Sequence, residues 1–355
     1  MNIKELLSLT IKNDASDLHL FPGIPPTFRI DSNLTYLSSL EVLTHENIEE
    51  MIYSILTPEQ RELLLTNKEL DFAVDFTEEN TEVSGRFRIN AYFQRGYLCA
   101  AFRFLPPKIR TIEELHLPKV LHTFAKHKQG FVLVCGPTGH GKSTTLAAII
   151  NEINIEKAYH ILTIEDPIEY IYPRQKSIIS QREVGLDTHS WGMALRSALR
   201  EDPDVVLIGE MRDPETIAAA ITIAETGHLV FSTLHTNSAS QSVDRIIDSF
   251  PSHQQQQIRI QFASTLRGII SQRLLPQISG GRIPAVEVLI GTSAVASNIR
   301  DGKTHLIDSI IETSQDVEMI TMESSLAQLV LSGTITLETA KSYAIHPEDL
   351  LRMVG

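Results

Sequence analysis

The alternation of apolar and polar positions changes character about a third of the way along the chain. Up to residue 105, short segments of two kinds follow one another. ELLSLTIKN, HENIEEMIYSIL and PEQRELLLTN read as helices with one apolar face. DLHLF and TFRI are short strand-like runs separated by the turn sequence PGIPP. DFAVDF, GRFRINAYFQ and YLCAAFRFL alternate or run apolar, as strands of an antiparallel sheet do. PPKIRTIEELHLP then carries three prolines and reads as a linker.

Beyond the linker the apolar runs become continuous. FVLVC, HILTIE, VVLIGE and HLVFSTLH have no polar face, which suits strands covered on both sides in a mostly parallel sheet. STTLAAIINEI, SWGMALRSALRE and PETIAAAITIAE separate them as helices. From about residue 240 the pattern predicts mostly helix, with one strand-like piece at AVEVLIG. QQQQ at 254–257 fits an exposed helix surface. The fold class expected is α/β, with a smaller α+β domain over 1–105, a linker over 106–118, and an α/β domain with a helical C-terminal part over 119–355.

The turn between FVLVC and the first helix of that second region is GPTGHGKSTT. Gly136, Gly141, Lys142 and Ser143 fit the spacing G-x-x-x-x-G-K-[ST]. Glycines let the backbone close on phosphate oxygens, and the helix behind adds the positive end of its dipole. Gly136, Pro137, Thr138, Gly139, His140, Gly141, Lys142, Ser143 and Thr144 are therefore the expected phosphate-binding segment. Lys142 would reach the β- and γ-phosphates of ATP, and the Ser143 hydroxyl would ligate Mg²⁺. His140 stands at a variable position of the loop, as a solvated or backbone-bonded side chain.

Hydrolysis needs carboxylates as well. Glu165, Asp166 and Glu169 cluster in ILTIEDPIEY, and Glu210 follows the apolar run DVVLIG. Both clusters stand at the ends of expected strands, where open α/β sheets place ligands. Gly209 occupies the position where related patterns carry Asp, which leaves Glu210 as the acid of that strand end and the expected second metal contact. His228 and His235 flank HLVFSTLH at an odd spacing, so a regular strand would turn them to opposite faces. No third ligand accompanies them, and hydrogen bonding near phosphate is the expected role.

Charge narrows the partners. Lys plus Arg number 31 against 44 Asp plus Glu, a formal net charge of −13. That balance disfavours nucleic acid as a partner. The two cysteines, Cys99 and Cys135, lie in apolar runs and read as buried free thiols. No stretch approaches the roughly 18 apolar residues of a membrane span, and the N-terminus lacks a continuous apolar signal core. A cytoplasmic location is expected.

With these motifs together, the chain resembles the secretion-superfamily hexameric ATPases. GPTGHGKS, TIEDPIEY, GEMRD and TGHLVFSTLHT stand in that family's order and at similar spacing. ASDLHL, GIPPTFRI, RFRIN and REDPDVVLIGEMRDPETI narrow the resemblance to the retraction ATPases of type IV pili, over nearly the whole chain. The resemblance implies a PAS-like N-terminal domain, a RecA-like P-loop ATPase domain and a homohexamer with ATP hydrolysed at subunit boundaries. It implies work on an inner-membrane pilus platform protein, with other pilus motor ATPases as further partners, at the inner face of the bacterial inner membrane. By matching position, Glu169 resembles the catalytic base, Glu210 the Walker B glutamate, and His228 and His235 the histidine box. Arg86, Arg88 and Arg103 match arginines that approach the nucleotide. Which of the three does so is open, and solvated strand arginines are the plainer alternative. The absent Asp at 209 is a trait of the family.

Three other readings stand beside this one: an ATPase of a specialised type IV secretion or plasmid-transfer pilus system (the DotB branch), a non-hydrolysing accessory subunit, and a RecA-like nucleic-acid motor, which the charge disfavours. Export motors carry a four-cysteine zinc module, which two cysteines cannot form. The resemblance weakens at one place. Retraction ATPases carry a helix close to AIRNLIRE that serves retraction, and AVASNIRD at 294–301 has Ala296 where Arg is expected and Asn298 where Leu is expected.

Overall fold

The computed structural model describes residues 2–30, 33–78, 84–105 and 108–355. The chain divides into two compact units, Met1–Lys108 with Pro167–Ile171, and Ile109–Asp166 with Tyr172–Gly355.

In the first unit, helix α1 (Ile3–Lys12) starts at a capping box in which Asn2 and Glu5 bond each other's backbone. Strands β1 (Asp17–Leu20), β2 (Thr27–Ile30) and β3 (Asn33–Tyr36) follow. Helices α2 (His45–Tyr53) and α3 (Pro58–Asn67) are likewise boxed, by Thr44 with Asn47 and by Thr57 with Gln60. β4 (Glu69–Thr77), β5 (Ser84–Gln94) and β6 (Tyr97–Leu105) complete a sheet of order β3-β2-β1-β6-β5-β4, antiparallel at each described pairing. The helices bury Leu6, Ile48 and Ile52 against Phe28, Phe87 and Phe102 of the sheet, all fully enclosed. Strand β3 was not visible in the pattern because all four of its residues are exposed, so it has no apolar alternation to show.

The second unit opens on residues expected to be linker. Pro106 and Pro107 lie outside the described residues. Ile112, Leu115 and Leu117 are buried, and Thr111 and Glu114 bond each other's backbone, so residues 109–118 pack as part of this unit. Three apolar anchors outweigh the loop-like composition there. Helix α4 (Leu121–Lys126) leads to β7 (Gly130–Cys135), α5 (Lys142–Glu156) and β8 (His160–Glu165). Next come β9 (Ile178–Glu183), α6 (Trp191–Ala198), β10 (Val205–Ile208), α7 (Pro214–Glu225) and β11 (Leu229–Leu234). Helices α8 (Ala239–Asp248) and α9 (Ser252–Thr265) precede β12 (Leu266–Pro276) and β13 (Arg282–Ile290). The sheet order is β13-β12-β7-β11-β10-β8-β9, parallel from β12 to β9, with β13 antiparallel at the edge.

The region after residue 240 is mostly helical, as expected, and AVEVLIG lies in β13, but the pattern did not show a second strand there, β12. There the chain returns to the sheet, and β12 lies directly against β7. After β13 come α10 (Ser293–Arg300), α11 (Ile307–Thr313), α12 (Met322–Leu331), α13 (Leu337–Tyr343) and α14 (Pro347–Val354). The last three close on a small core of Leu275, Ile283, Met322, Leu326 and Leu350. No helix among the described residues is long and apolar enough to cross a membrane.

Because Phe102 is fully enclosed, Phe102→Ala should destabilise the first unit by about 3–5 kcal/mol. Urea unfolding followed by limited proteolysis should show early cleavage within residues 1–105. Wild-type resistance there would mean that this core does not hold the unit.

Candidate functional site

Strand β7 is buried along all six residues, and the chain leaves it through a loop of three left-handed glycines. Gly136, Gly139 and Gly141 have φ of 147°, 80° and 81°. At Gly136 a Cβ would stand 2.4 Å from the Gln272 carbonyl oxygen, whereas at Gly139 it would meet nothing within 4 Å. The loop is thus backed by protein at its start and open at its tip. Helix α5 begins without a side-chain cap, while α6, α7 and α8 are capped by Ser190, Asp213 and Ser238. A helix N-terminus without a side-chain cap behind a glycine loop turns the positive end of its dipole to an anion, so the segment fits a nucleotide's phosphates. Lys142 is buried, and its ammonium donates to the carbonyls of Gly136 at 2.8 Å and Pro137 at 3.0 Å, which folds it over the loop. Ser143 and Thr144 follow it in the first turn, half-buried.

Gln272 of β12 holds this loop, and sequence reasoning did not find it. Its Oε1 accepts from the Thr145 hydroxyl at 2.7 Å, and its Nε2 donates to the His140 carbonyl at 2.7 Å. The His140 ring accepts from the Leu274 backbone N–H at 3.0 Å, so the backbone-bonded alternative holds for it. Its ring centroid lies 6.2 Å from that of Tyr343 in α13. A polar Gln fully buried beside a phosphate motif would have been the signal, had β12 been read as a strand.

Across the loop stand Glu210 and His235. Glu210 follows β10 and pairs with Arg212. His235 follows β11; its Nε2 is 3.6 Å from Glu210 Oε2, and its Nδ1 is 3.4 Å from the Thr138 hydroxyl. Burial, and then the Lys142 charge, push the His235 imidazole below its ordinary range, so it is neutral at pH 7. The structure therefore brings Lys142, Thr138, Glu210 and His235 together. His228 is not brought to this loop. It precedes β11, and its carbonyl accepts from Gly130 at the start of β7. Six strand residues, about 20 Å, separate it from His235. In a parallel sheet the carboxyl ends of the strands share one edge and the amino ends the other, and His228 is at the amino edge, away from the loop. There its Nδ1 lies 3.0 Å from the Ile223 carbonyl.

Glu165 and Asp166 stay with β8, whereas Pro167–Ile171, with Glu169, belongs to the first unit. Within that unit Arg88 lies 3.5 Å from Glu169, and Arg86 donates to the Ile168 carbonyl at 2.8 Å and to Asp75 at 2.8 Å. Arg103 does not join them; it donates to Asp17 at 3.1 Å. No group of three or more His, Cys, Asp and Glu side chains among the described residues forms a cage for a metal ion. The stretch 294–301 spans α10, with Val295 and Ile299 buried, Ala296 half-buried and Arg300 exposed.

Gly136→Ala should displace the loop, because its methyl meets a backbone carbonyl and its φ is disfavoured for any side chain. Binding of a fluorescent ADP analogue should weaken by roughly tenfold or more, a cost of about 1–3 kcal/mol for such strain. Unchanged affinity would place nucleotide binding elsewhere.

A family model described as Type II/IV secretion system protein matches residues 108–340. The chain is 45% identical over 351 residues to the type IV pilus retraction ATPase PilT of Pseudomonas aeruginosa, covering 98% of this chain and 100% of that protein. Its structure is similar to the crystal structure of the pilus retraction motor PilT with bound ADP, with a TM-score of 0.89 and 46% identity over 99% of each chain. It is also similar to the ATPase DotB of Legionella pneumophila, with a TM-score of 0.81 and 27% identity over 96% of this chain and 94% of that one. With a phosphate loop of this geometry and a match to PilT along nearly its whole length, the chain belongs to the type II/IV secretion system protein family, in its PilT group.

Proposed function

We propose that the chain is the subunit of a homohexameric ATPase motor that hydrolyses ATP to retract a type IV pilus. The observation that carries the reading is the uncapped start of α5 behind the glycine loop, faced by Glu210 and His235. In this reading Lys142 grips the β- and γ-phosphates. Ser143 and, through water, Glu210 would hold Mg²⁺, which supplies charge neutralisation when bound. Glu169 orients and deprotonates the attacking water. Arg86 or Arg88 supplies a further cation to the γ-phosphate, in its own subunit or the next. Neutral His235 donates from one ring nitrogen and accepts at the other, linking Thr138 to Glu210. The ring would act on an inner-membrane platform protein from the cytoplasmic side, alongside other pilus motor ATPases.

A second reading, service to a specialised secretion or transfer pilus, draws on the similarity to DotB and on Ala296 and Asn298. Complementation of a twitching strain that lacks its retraction motor separates the two. Full rescue by the unmodified chain supports pilus retraction. Poor rescue with intact ATP turnover, improved by Ala296→Arg with Asn298→Leu, supports the other.

Phosphate release from ATP tests the enzyme itself. Lys142→Ala should abolish turnover, and a rate near wild type would refute the assigned site. Glu169→Gln should still bind ATP but turn it over about a hundred- to ten-thousand-fold more slowly, the usual span for loss of a general base. Parallel loss of binding and turnover would show a structural role instead.

A further inference from the structure

Glu287 is a buried carboxylate that the proposed mechanism does not use, and it lies beneath the loop that carries His235. That loop, residues 235–239, is pinned at each step. The Thr236 hydroxyl is 2.6 Å from that of Ser242. The Asn237 carbonyl accepts from the Ser271 hydroxyl at 3.0 Å and from Arg273 at 3.3 Å, and the Asn237 side-chain oxygen accepts from Arg273 at 3.1 Å. The Ala239 N–H, at the first turn of α8, donates to Glu287 at 2.7 Å. Ser271 and Glu287 are cross-strand partners on β12 and β13.

Gln272 lies between Ser271 and Arg273, and successive strand residues face opposite sides. Gln272 therefore turns to the phosphate loop, while its two neighbours turn to the His235 loop. One tripeptide on β12 thus holds the two halves of the phosphate site from its two faces. We propose that Ser271, Gln272 and Arg273, with Glu287, are positioning residues that set the separation between the phosphate loop and His235. The inference rests on the ATPase reading above and assigns its geometry to a second set of side chains.

The charge of Glu287 gives the device a pH dependence. Arg273 from β12, Asp308 from α11, Glu323 from α12 and the Cys135 thiol from β7 surround it. Burial first, then the two acids, push its carboxyl up to about 7, against the opposing pull of the Ala239 N–H and Arg273. Once ionised, it accepts more strongly from the Ala239 N–H and pairs with Arg273, which tightens the His235 loop. The kcat should therefore rise with pH through about 7. The contribution of Glu287 to global stability moves the other way. The folded chain keeps on Glu287 a proton that the unfolded chain releases from about 4.5 upward, so this group's contribution falls as pH rises from there to about 7.

The test combines hydrogen exchange with steady-state kinetics. Glu287→Gln and Arg273→Met should speed amide exchange in residues 235–239 by roughly ten- to hundred-fold, as expected for loss of a charge-assisted bond. Exchange in β7 should stay unchanged. Gln272→Leu should instead speed exchange in residues 136–141 and weaken ADP-analogue binding. In Glu287→Gln, kcat should lose its limb near pH 7 while KM moves by less than about threefold, and the thermal midpoint relative to wild type should rise as pH increases from 4.5 to 7. Wild-type exchange in these loops, or a retained limb, would overturn the proposal. Absence of phosphate release from ATP by the wild type would end the ATPase reading alone, because the exchange measurements still decide the positioning role.

Discussion

The second unit depends on the parallel pairing of β7 with β11 on one side and β12 on the other. The register puts Cys135 level with Leu234 and with Ser271. The next residue of each strand's chain is then Gly136, His235 and Gln272, so three pieces of chemistry meet at one level of the sheet. Gly136 opens the phosphate loop, His235 faces it, and Gln272 backs it. The glycine at 136 follows from the same packing, since only a residue without Cβ can pass the Gln272 carbonyl at this distance. A slip of one residue between β7 and β12 would turn Gln272 away from the loop and present Ser271 or Arg273 instead.

Electrostatics at that level are local and owe little to the net charge of −13. Lys142 is drawn over the loop by carbonyls, and its charge helps to keep the nearby imidazole neutral. Glu210 sits between Arg212 and His235. A neutral His235 can be donor on one nitrogen and acceptor on the other, so it bridges a carboxylate and a hydroxyl without adding a second cation to the site.

The parts legible in the sequence were those with a local signature. The phosphate loop has fixed spacing, and β7, β8, β10 and β11 are apolar enough to read as buried parallel strands. Strand β12 escaped because it follows helix α9 without a break and carries Ser271-Gln272-Arg273 in its middle. Those polar residues are satisfied by partners far away in sequence, at Asn237, Thr145 and His140, which no local pattern records. The two histidines were legible as a pair, but not as the two ends of one strand. Sequence spacing measures their separation along β11, and only the parallel topology tells which end meets the loop. Residues 109–118 read as linker because composition counts prolines, whereas burial is decided by three apolar side chains.

The three arginines offered for the γ-phosphate are not equivalent once their partners are known. Arg103 and Arg29 flank Asp17, which is nearly buried, at 3.1 Å and 3.9 Å. Asp17 is cross-strand partner to both, so a carboxylate on the central rung is neutralised from each side. Removing Arg103 takes one cation from that rung and leaves Asp17 with Arg29 and with the Ser16 hydroxyl, which donates to it at 2.8 Å. Loss of activity in an Arg103 variant would therefore include a change at the Asp17 rung of the first unit's sheet. Arg86 and Arg88 differ, because their acidic partners Asp75 and Asp71 are each about half or more exposed and can be solvated alone. Their other contacts run to Ile168 and Glu169, the segment of the acidic box that belongs to the first unit. A change at Arg88 therefore alters the surroundings of Glu169 and leaves the Asp17 rung intact, so it is the arginine whose loss can be read as chemistry.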